Sequence, residues 1–165
     1  MKKEINAYLF NEAVKYLGKY PATRQKIKEH LQKKIINKKT YSKAILPVNV
    51  NKDQIVNEIV ERLDQLGIIN EEQFIESLFA YYQRSLFSIR KIKNKLFQKG
   101  FDPKVIDDFI NQKFHENPEL EVEILKQYIV KKRIADLDES DLKKKLYQQS
   151  FSENSIFRVI KDYTI

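Results

Sequence analysis

The 165-residue chain has no cysteine and no tryptophan, and only three glycines, four prolines, two histidines and one methionine. Without cysteine it can build neither a disulfide framework nor a thiolate metal site, which fits a reducing compartment. Gly18, Gly67 and Gly100 are too scattered to form a phosphate-cradling loop or a dinucleotide fingerprint. So little glycine and proline also leaves scant turn material for a β architecture. No apolar run approaches the ~20 residues of a membrane span. MKKEINAYLFNEAV lacks the apolar core of a signal peptide, so a cytoplasmic protein with no membrane partner is expected. His30 and His115 have no second histidine nearby and are expected at the surface rather than as metal ligands or bases. Adjacent carboxylates, Glu71-Glu72 and Asp107-Asp108, point about 100° apart on a helix and mark solvated faces. No catalytic, metal or cofactor site assembles from these residues, and the expectation is a protein that is not an enzyme.

What is present is helical. The chain is 42% hydrophobic, too apolar for wholesale disorder. Its clearest stretch runs from Leu66 to Ile110. Asn70, with Gln73 three residues later, makes a capping-box-like start. The helix that follows carries the stripe Phe74, Ile75, Leu78, Phe79 and Tyr82. Ser88 can cap a second helix bearing Ile89, Ile92 and Leu96, which Gly100 ends as a left-handed glycine. Asp102 before Pro103 reads as an N-cap and first helical position, opening a third helix with Val105, Ile106, Phe109 and Ile110.

That unit returns on both sides. Fifty residues on, Phe74, Ile75 and Phe79 become Ile124, Leu125 and Ile129, while Ser88, Ile92, Leu96, Asp102 and Ile106 become Asp138, Leu142, Leu146, Ser152 and Ile156. Sixty-five residues back, Phe74, Ile75, Phe79, Ser88, Ile92 and Leu96 become Leu9, Phe10, Val14, Thr23, Ile27 and Leu31. Because caps coincide with caps, the spacing predicts an all-α fold of three tandem three-helix repeats, at 1–66, 67–116 and 117–165. The first carries an insertion at 35–51, where Pro47 opposes a continuous helix and a loop is expected. Repeats this small must pack on their neighbours, so an elongated, curved array of helices crossing near right angles is expected. In the third repeat Asn117 is expected to cap a helix with Pro118 at its first position.

Charge is the informative surface property. Thirty-one Lys and Arg against twenty-three Asp and Glu give a net +8, and the excess gathers in the middle helix of each repeat. Arg24, Lys26, Lys28, Lys33 and Lys34 lie in the first; Arg90, Lys91, Lys93, Lys95 and Lys99 in the second; Lys143, Lys144 and Lys145 in the third. Lys28, Lys93 and Lys143 are equivalent under the two shifts, so stacked repeats would present a basic stripe suited to a polyanion or to a protein filament enclosing nucleic acid. Most of the nine Tyr and ten Phe follow the apolar stripes, whereas Phe97 and Tyr147, again fifty residues apart, fall off them and are expected as exposed contacts.

The run LGIINEEQFIESLFAYYQRSLFSIRKIKNKLFQKGFD resembles the central signature of the bacterial RecX recombination regulators. The features that carry it are Gly67, Ile68, Ile69, Glu71, Phe74, Arg84, Arg90, Ile92, Leu96, Lys99, Gly100 and Phe101. Asn70-Glu71 stands where relatives commonly have two Asp, and Leu86 and Ser88 replace the glycines usual in the basic turn. The resemblance implies a non-enzymatic regulator that lies in the groove of the RecA filament on DNA and restrains ATP hydrolysis, strand exchange and filament growth. It places the protein in homologous recombination, DNA repair and the SOS response, without a cofactor and as a monomer. Arg24, Lys28, Arg84, Arg90, Lys91, Lys93, Lys99, Lys143 and Lys144 are then the residues expected to meet the filament or its DNA. The other reading is a sequence-independent DNA-binding repeat protein using the second and third helix of each unit as a helix-turn-helix. Tandem three-helix readers of the Myb type pack around tryptophans, which this chain lacks. A purely structural adaptor binding neither DNA nor RecA would be a third class.

Overall fold

The structure, a computed structural model, describes residues 2–36 and 51–163; positions 37–50 of the expected insertion loop lie outside them. Among the described residues there are nine α-helices and no strand: α1 (Lys2–Leu17), α2 (Arg24–Ile36), α3 (Lys52–Gln65), α4 (Glu71–Arg84), α5 (Ile89–Gln98), α6 (Pro103–Glu116), α7 (Leu120–Lys132), α8 (Glu139–Gln148) and α9 (Glu153–Ile160). The architecture is all-α, as the periodicity predicts.

Helix starts follow the polar residues that precede each stripe. Side-chain oxygens of Thr23, Asn51, Asn70, Ser88, Asp138 and Ser152 accept from the backbone N–H three residues on, at 2.9–3.3 Å. Asp102 does the same for Lys104 N at 2.8 Å, with Pro103 in the first turn. Each bond satisfies a donor that the helix itself cannot, and is worth ~1 kcal/mol. One start departs from expectation. Asn117 Oδ1 accepts from Glu119 N at 3.0 Å, a turn two residues long that holds Pro118 ahead of α7 rather than in its first position.

Helix ends share a device too. Gly67, Leu86, Gly100, Arg133 and Ser150 all have φ between 53° and 89°. After each, the next N–H reaches back five residues, as Phe87 N does to Tyr82 O (3.2 Å) and Phe101 N to Leu96 O (3.4 Å). This is the Schellman arrangement, which satisfies carbonyls left open at the C-terminus. Glycine takes it without strain at two of the five positions; the side chains of Leu86, Arg133 and Ser150 sit in a region that costs ~1 kcal/mol or more.

The chain folds into two compact units, one reaching to Phe74 and the other starting at Ile75. In the first, α1, α2 and α3 pack on one another around Ile5, Leu9, Ile27, Leu31, Ile55 and Leu63. Val14, expected in this core, is exposed, because α1 turns Ile5, Leu9 and Ala13 inward instead. Leu9 and Ala13 precede their α4 counterparts Ile75 and Phe79 by sixty-six residues rather than sixty-five, a slip of one position. In the second unit α5 packs on α6, and both α7 and α8 pack on α9. Residues fifty apart are buried in pairs there: Ile75 and Leu125, Phe79 and Ile129, Ile92 and Leu142, Leu96 and Leu146, Ile106 and Ile156, Ile110 and Ile160. Burying one such leucine or isoleucine contributes ~1.5–3 kcal/mol. Val105 lies outside the α6 stripe, where Ile106 and Ile110 fill the interior.

Candidate functional site

Several of the expected cations are held by a neighbour. Arg24 is held: its guanidinium lies 2.6 Å from Asp64 and 3.7 Å from Glu71, and its own N–H donates to Glu71 Oε1 at 2.6 Å. The hydrogen bond to Asp64, ahead of burial and of both carboxylate charges, raises its pKa further. Lys91 Nζ donates to Gln149 Oε1 at 2.6 Å, Lys93 pairs with Asp107 at 2.7 Å, and Lys143 pairs with Glu139. The latter two pairs are surface pairs, worth 0–1 kcal/mol and exchanged easily for a partner's anion. Arg84, Arg90, Lys99 and Lys144 are exposed. Lys28 shares a groove of about 420 Å³ with Arg24, Asn57, Val60, Glu61 and Asp64, so the cationic face of α2 is interrupted by carboxylates. Lys26 and Lys34 are likewise engaged, by Glu29 at 2.9 Å and Glu12 at 2.7 Å.

In the second unit two grooves carry cations without a carboxylate in their lining. Arg84 joins Leu86, Lys126, Gln127, Val130 and Lys131 around a space of about 500 Å³, although Lys126 Nζ itself pairs with Asp162 at 2.8 Å. Lys99 joins Lys95, Gln98, Tyr81, Tyr82 and Phe87 around one of about 420 Å³. The reading by middle helices missed Lys126 and Lys131, which belong to α7. Phe97 and Tyr147 are exposed as the sequence predicts, at 61% and 47%, and Tyr20, Tyr81 and Phe157 are exposed as well. His30 does not stand free, since it stacks on Tyr16 with centroids 4.3 Å apart, and burial ahead of Lys34 lowers its pKa.

Sequence reading also missed Glu121. In the first turn of α7, where an acid is ordinarily solvated, it is 5% exposed. Its carboxylate accepts from Ile89 N at 3.3 Å, from Ser155 Oγ at 2.8 Å and from Ser152 Oγ, tying together the starts of α5 and α9. The signal was its spacing from Ile124, Leu125 and Tyr128, which puts it on the inward stripe. Ser88, 1% exposed, adds a bond from its hydroxyl to Gln149 O at 2.9 Å. Among the described residues no group of three or more His, Cys, Asp or Glu could hold a metal ion, and no helix is long and apolar enough to cross a membrane.

No family model matches the chain. Sequence relatives are two proteins named regulatory protein RecX. One, from Caldanaerobacter subterraneus, is 23% identical over 159 residues, 96% of this chain and 78% of that protein. The other, from Chlorobium phaeobacteroides, is 30% identical over 103 residues, 62% of this chain and 58% of that one. Among solved structures, RecX from Lactobacillus salivarius superposes with a TM-score of 0.72 at 20% identity, covering 98% of this chain and 97% of its own. A second crystal structure of regulatory protein RecX gives 0.68 at 24% identity, covering 96% and 73%. At such identities the structures establish a shared all-α fold. Together with the relatives' sequences, the comparisons support a RecX family protein.

Proposed function

We propose that the protein restrains the RecA recombinase by docking on its filament on DNA, slowing ATP hydrolysis, strand exchange and filament extension without catalysing a reaction itself. The observation that carries this reading is the likeness to regulatory protein RecX along 96% of the chain. Three tandem modules, 1–66, 67–116 and 117–165, are part of the proposal. Its support is the recurrence of cap on cap: Thr23, Ser88 and Asp138 start α2, α5 and α8, while Asn51, Asp102 and Ser152 start α3, α6 and α9. Modules repeated along one chain can touch successive subunits of a lattice, and several weak contacts then multiply into avidity. Arg24, Lys28, Arg84, Arg90, Lys91, Lys93, Lys99, Lys143 and Lys144 supply the electrostatic part of the docking, which acts chiefly on the rate of encounter.

The test is RecA ATPase activity on single-stranded DNA with and without the protein. Inhibition is expected, and uninhibited hydrolysis at saturating protein rejects the reading. Reversing charge at Arg90, Lys93 and Lys144 together should raise the concentration needed for inhibition roughly tenfold while helicity by circular dichroism is unchanged. Full inhibition by that variant would reject the residues but not the function. A second reading, sequence-independent DNA binding, is favoured by the net charge of +8 and by the cations Arg84 and Lys131 along one groove. Titration against bare duplex DNA at two salt concentrations separates the two, since tight binding with a steep salt slope and no recombinase supports the second.

A further inference from the structure

We propose that the groove between the C-terminal half of α4 and the face of α5 is a stacking site for the unpaired bases of a single-stranded nucleic acid. This goes beyond the filament reading, because the contact needs no recombinase. Four features of the groove lead to it.

Tyr81 is 57% exposed although the α4 stripe is already supplied by Ile75, Phe79 and Tyr82. It is a large ring left at the surface with no role in the core. Beside it the Tyr82 and Phe87 rings lie nearly parallel, with centroids 5.7 Å apart and an interplanar angle of 11°. Tyr81 meets Tyr82 edge-on at 5.4 Å and 65°. The aromatic wall is thus rigid: Tyr82 is buried, and Phe87 is fixed because its N–H closes the Schellman turn on Tyr82 O. Facing it, Lys95 and Lys99 lie one turn apart on α5, on the same side of the helix. Gln98 adds an amide, and no carboxylate lines the space.

A volume of about 420 Å³ suits a small planar ligand. Rings on one wall and ammonium groups on the other match what a nucleotide offers, a π-face joined to a phosphate. Duplex DNA hides its ring faces inside the stack, so the aromatic wall can engage only unstacked bases. An acidic peptide would meet the ammonium groups and leave the rings unused.

Because the chain has no tryptophan, Tyr81→Trp places a single indole at the site in the full-length protein. Its fluorescence should be quenched saturably by a short oligothymidylate strand and not by duplex of the same length. Tyr81→Ala, at an exposed position, should bind the oligothymidylate roughly ten- to a hundredfold more weakly, with duplex binding and the salt slope unchanged. Lys95→Ala should lower that slope by about 0.7. Quenching by duplex as strong as by single strand, undiminished binding by Tyr81→Ala, or displacement of the strand by polyglutamate at equal charge concentration would each overturn the proposal. With no RecA in these experiments, their failure leaves the filament reading standing, and a failed ATPase test leaves this one standing.

Discussion

In the N-terminal unit Glu71 accepts the first N–H of α2 from a side chain that is 22% exposed, whereas in the second unit Glu121, fifty residues later, accepts the first N–H of α5 from inside the core. Both carboxylates sit where the open donors and the dipole of a helix start favour negative charge. Their remaining lone pairs are satisfied differently. Glu71, near water, shares its charge with the Arg24 guanidinium. Among the described residues Glu121 pairs with no cation, and it relies on the hydroxyls of Ser152 and Ser155. The same cap can therefore be surface electrostatics in one place and a buried polar network in another, and the two should respond differently to perturbation.

The largest difference should come from truncation. Glu121→Ala strands the Ile89 N–H and the buried Ser155 hydroxyl, so urea unfolding should show a loss of about 2–4 kcal/mol. Glu71→Ala, in a wetter setting, should cost about 1–2 kcal/mol. Equal losses at the two sites would erase the distinction. Acid should separate the units next. Burial holds the pKa of His30 below its ordinary 6.5, so the unfolded chain takes up that proton more readily and stability is lost as pH falls below 6.5. The hydrogen bond from Lys34 holds Glu12 below its ordinary 4.5, so its contribution is present above 4.5 and disappears as pH falls through the lowered value. Both groups belong to the N-terminal unit. As pH falls from 6.5 to below 4.5, amide protection, corrected for the intrinsic slowing of exchange in acid, should therefore drop in α1 and α2 before α8 and α9, and His30→Gln should remove the part of that loss above pH 4.5. The smallest effect has the opposite sign. Ser150 holds φ 64° where Gly100, fifty residues earlier, holds φ 89°. Ser150→Gly should raise the urea midpoint by an amount equivalent to about 0.5–1 kcal/mol.

Much of the fold was legible because helix punctuation is local. Thr23, Asn70, Ser88, Asp102, Asp138 and Ser152 could be picked out as caps from a few residues of context, and all make the expected bonds. The inward stripe of α4 and the exposure of Phe97 and Tyr147 followed from periodicity alone. What escaped depended on contacts far along the chain. Val14 and Val105 fit an apolar count but not the face that neighbouring helices cover. His30 looks like a surface residue until Tyr16 stacks on it. The ion pairs of Arg24 reach Asp64 and Glu71, 40 and 47 residues away, and nothing near Arg24 in the sequence announces them. The aromatic groove was hidden for the same reason, since the left-handed turn at Leu86 is what returns Phe87 to Tyr82, and a leucine gives no warning of such a turn.

The first turn of α5 draws on Glu121, 32 residues downstream of Ile89, and its cap Ser88 on Gln149, 61 residues downstream. During synthesis this helix emerges from the ribosome long before the groups that close its start. Until they arrive, the Ile89 N–H has only water to bond to, and a nascent chain interrupted after Glu116 carries a finished stripe on a helix whose start is held by Ser88 alone.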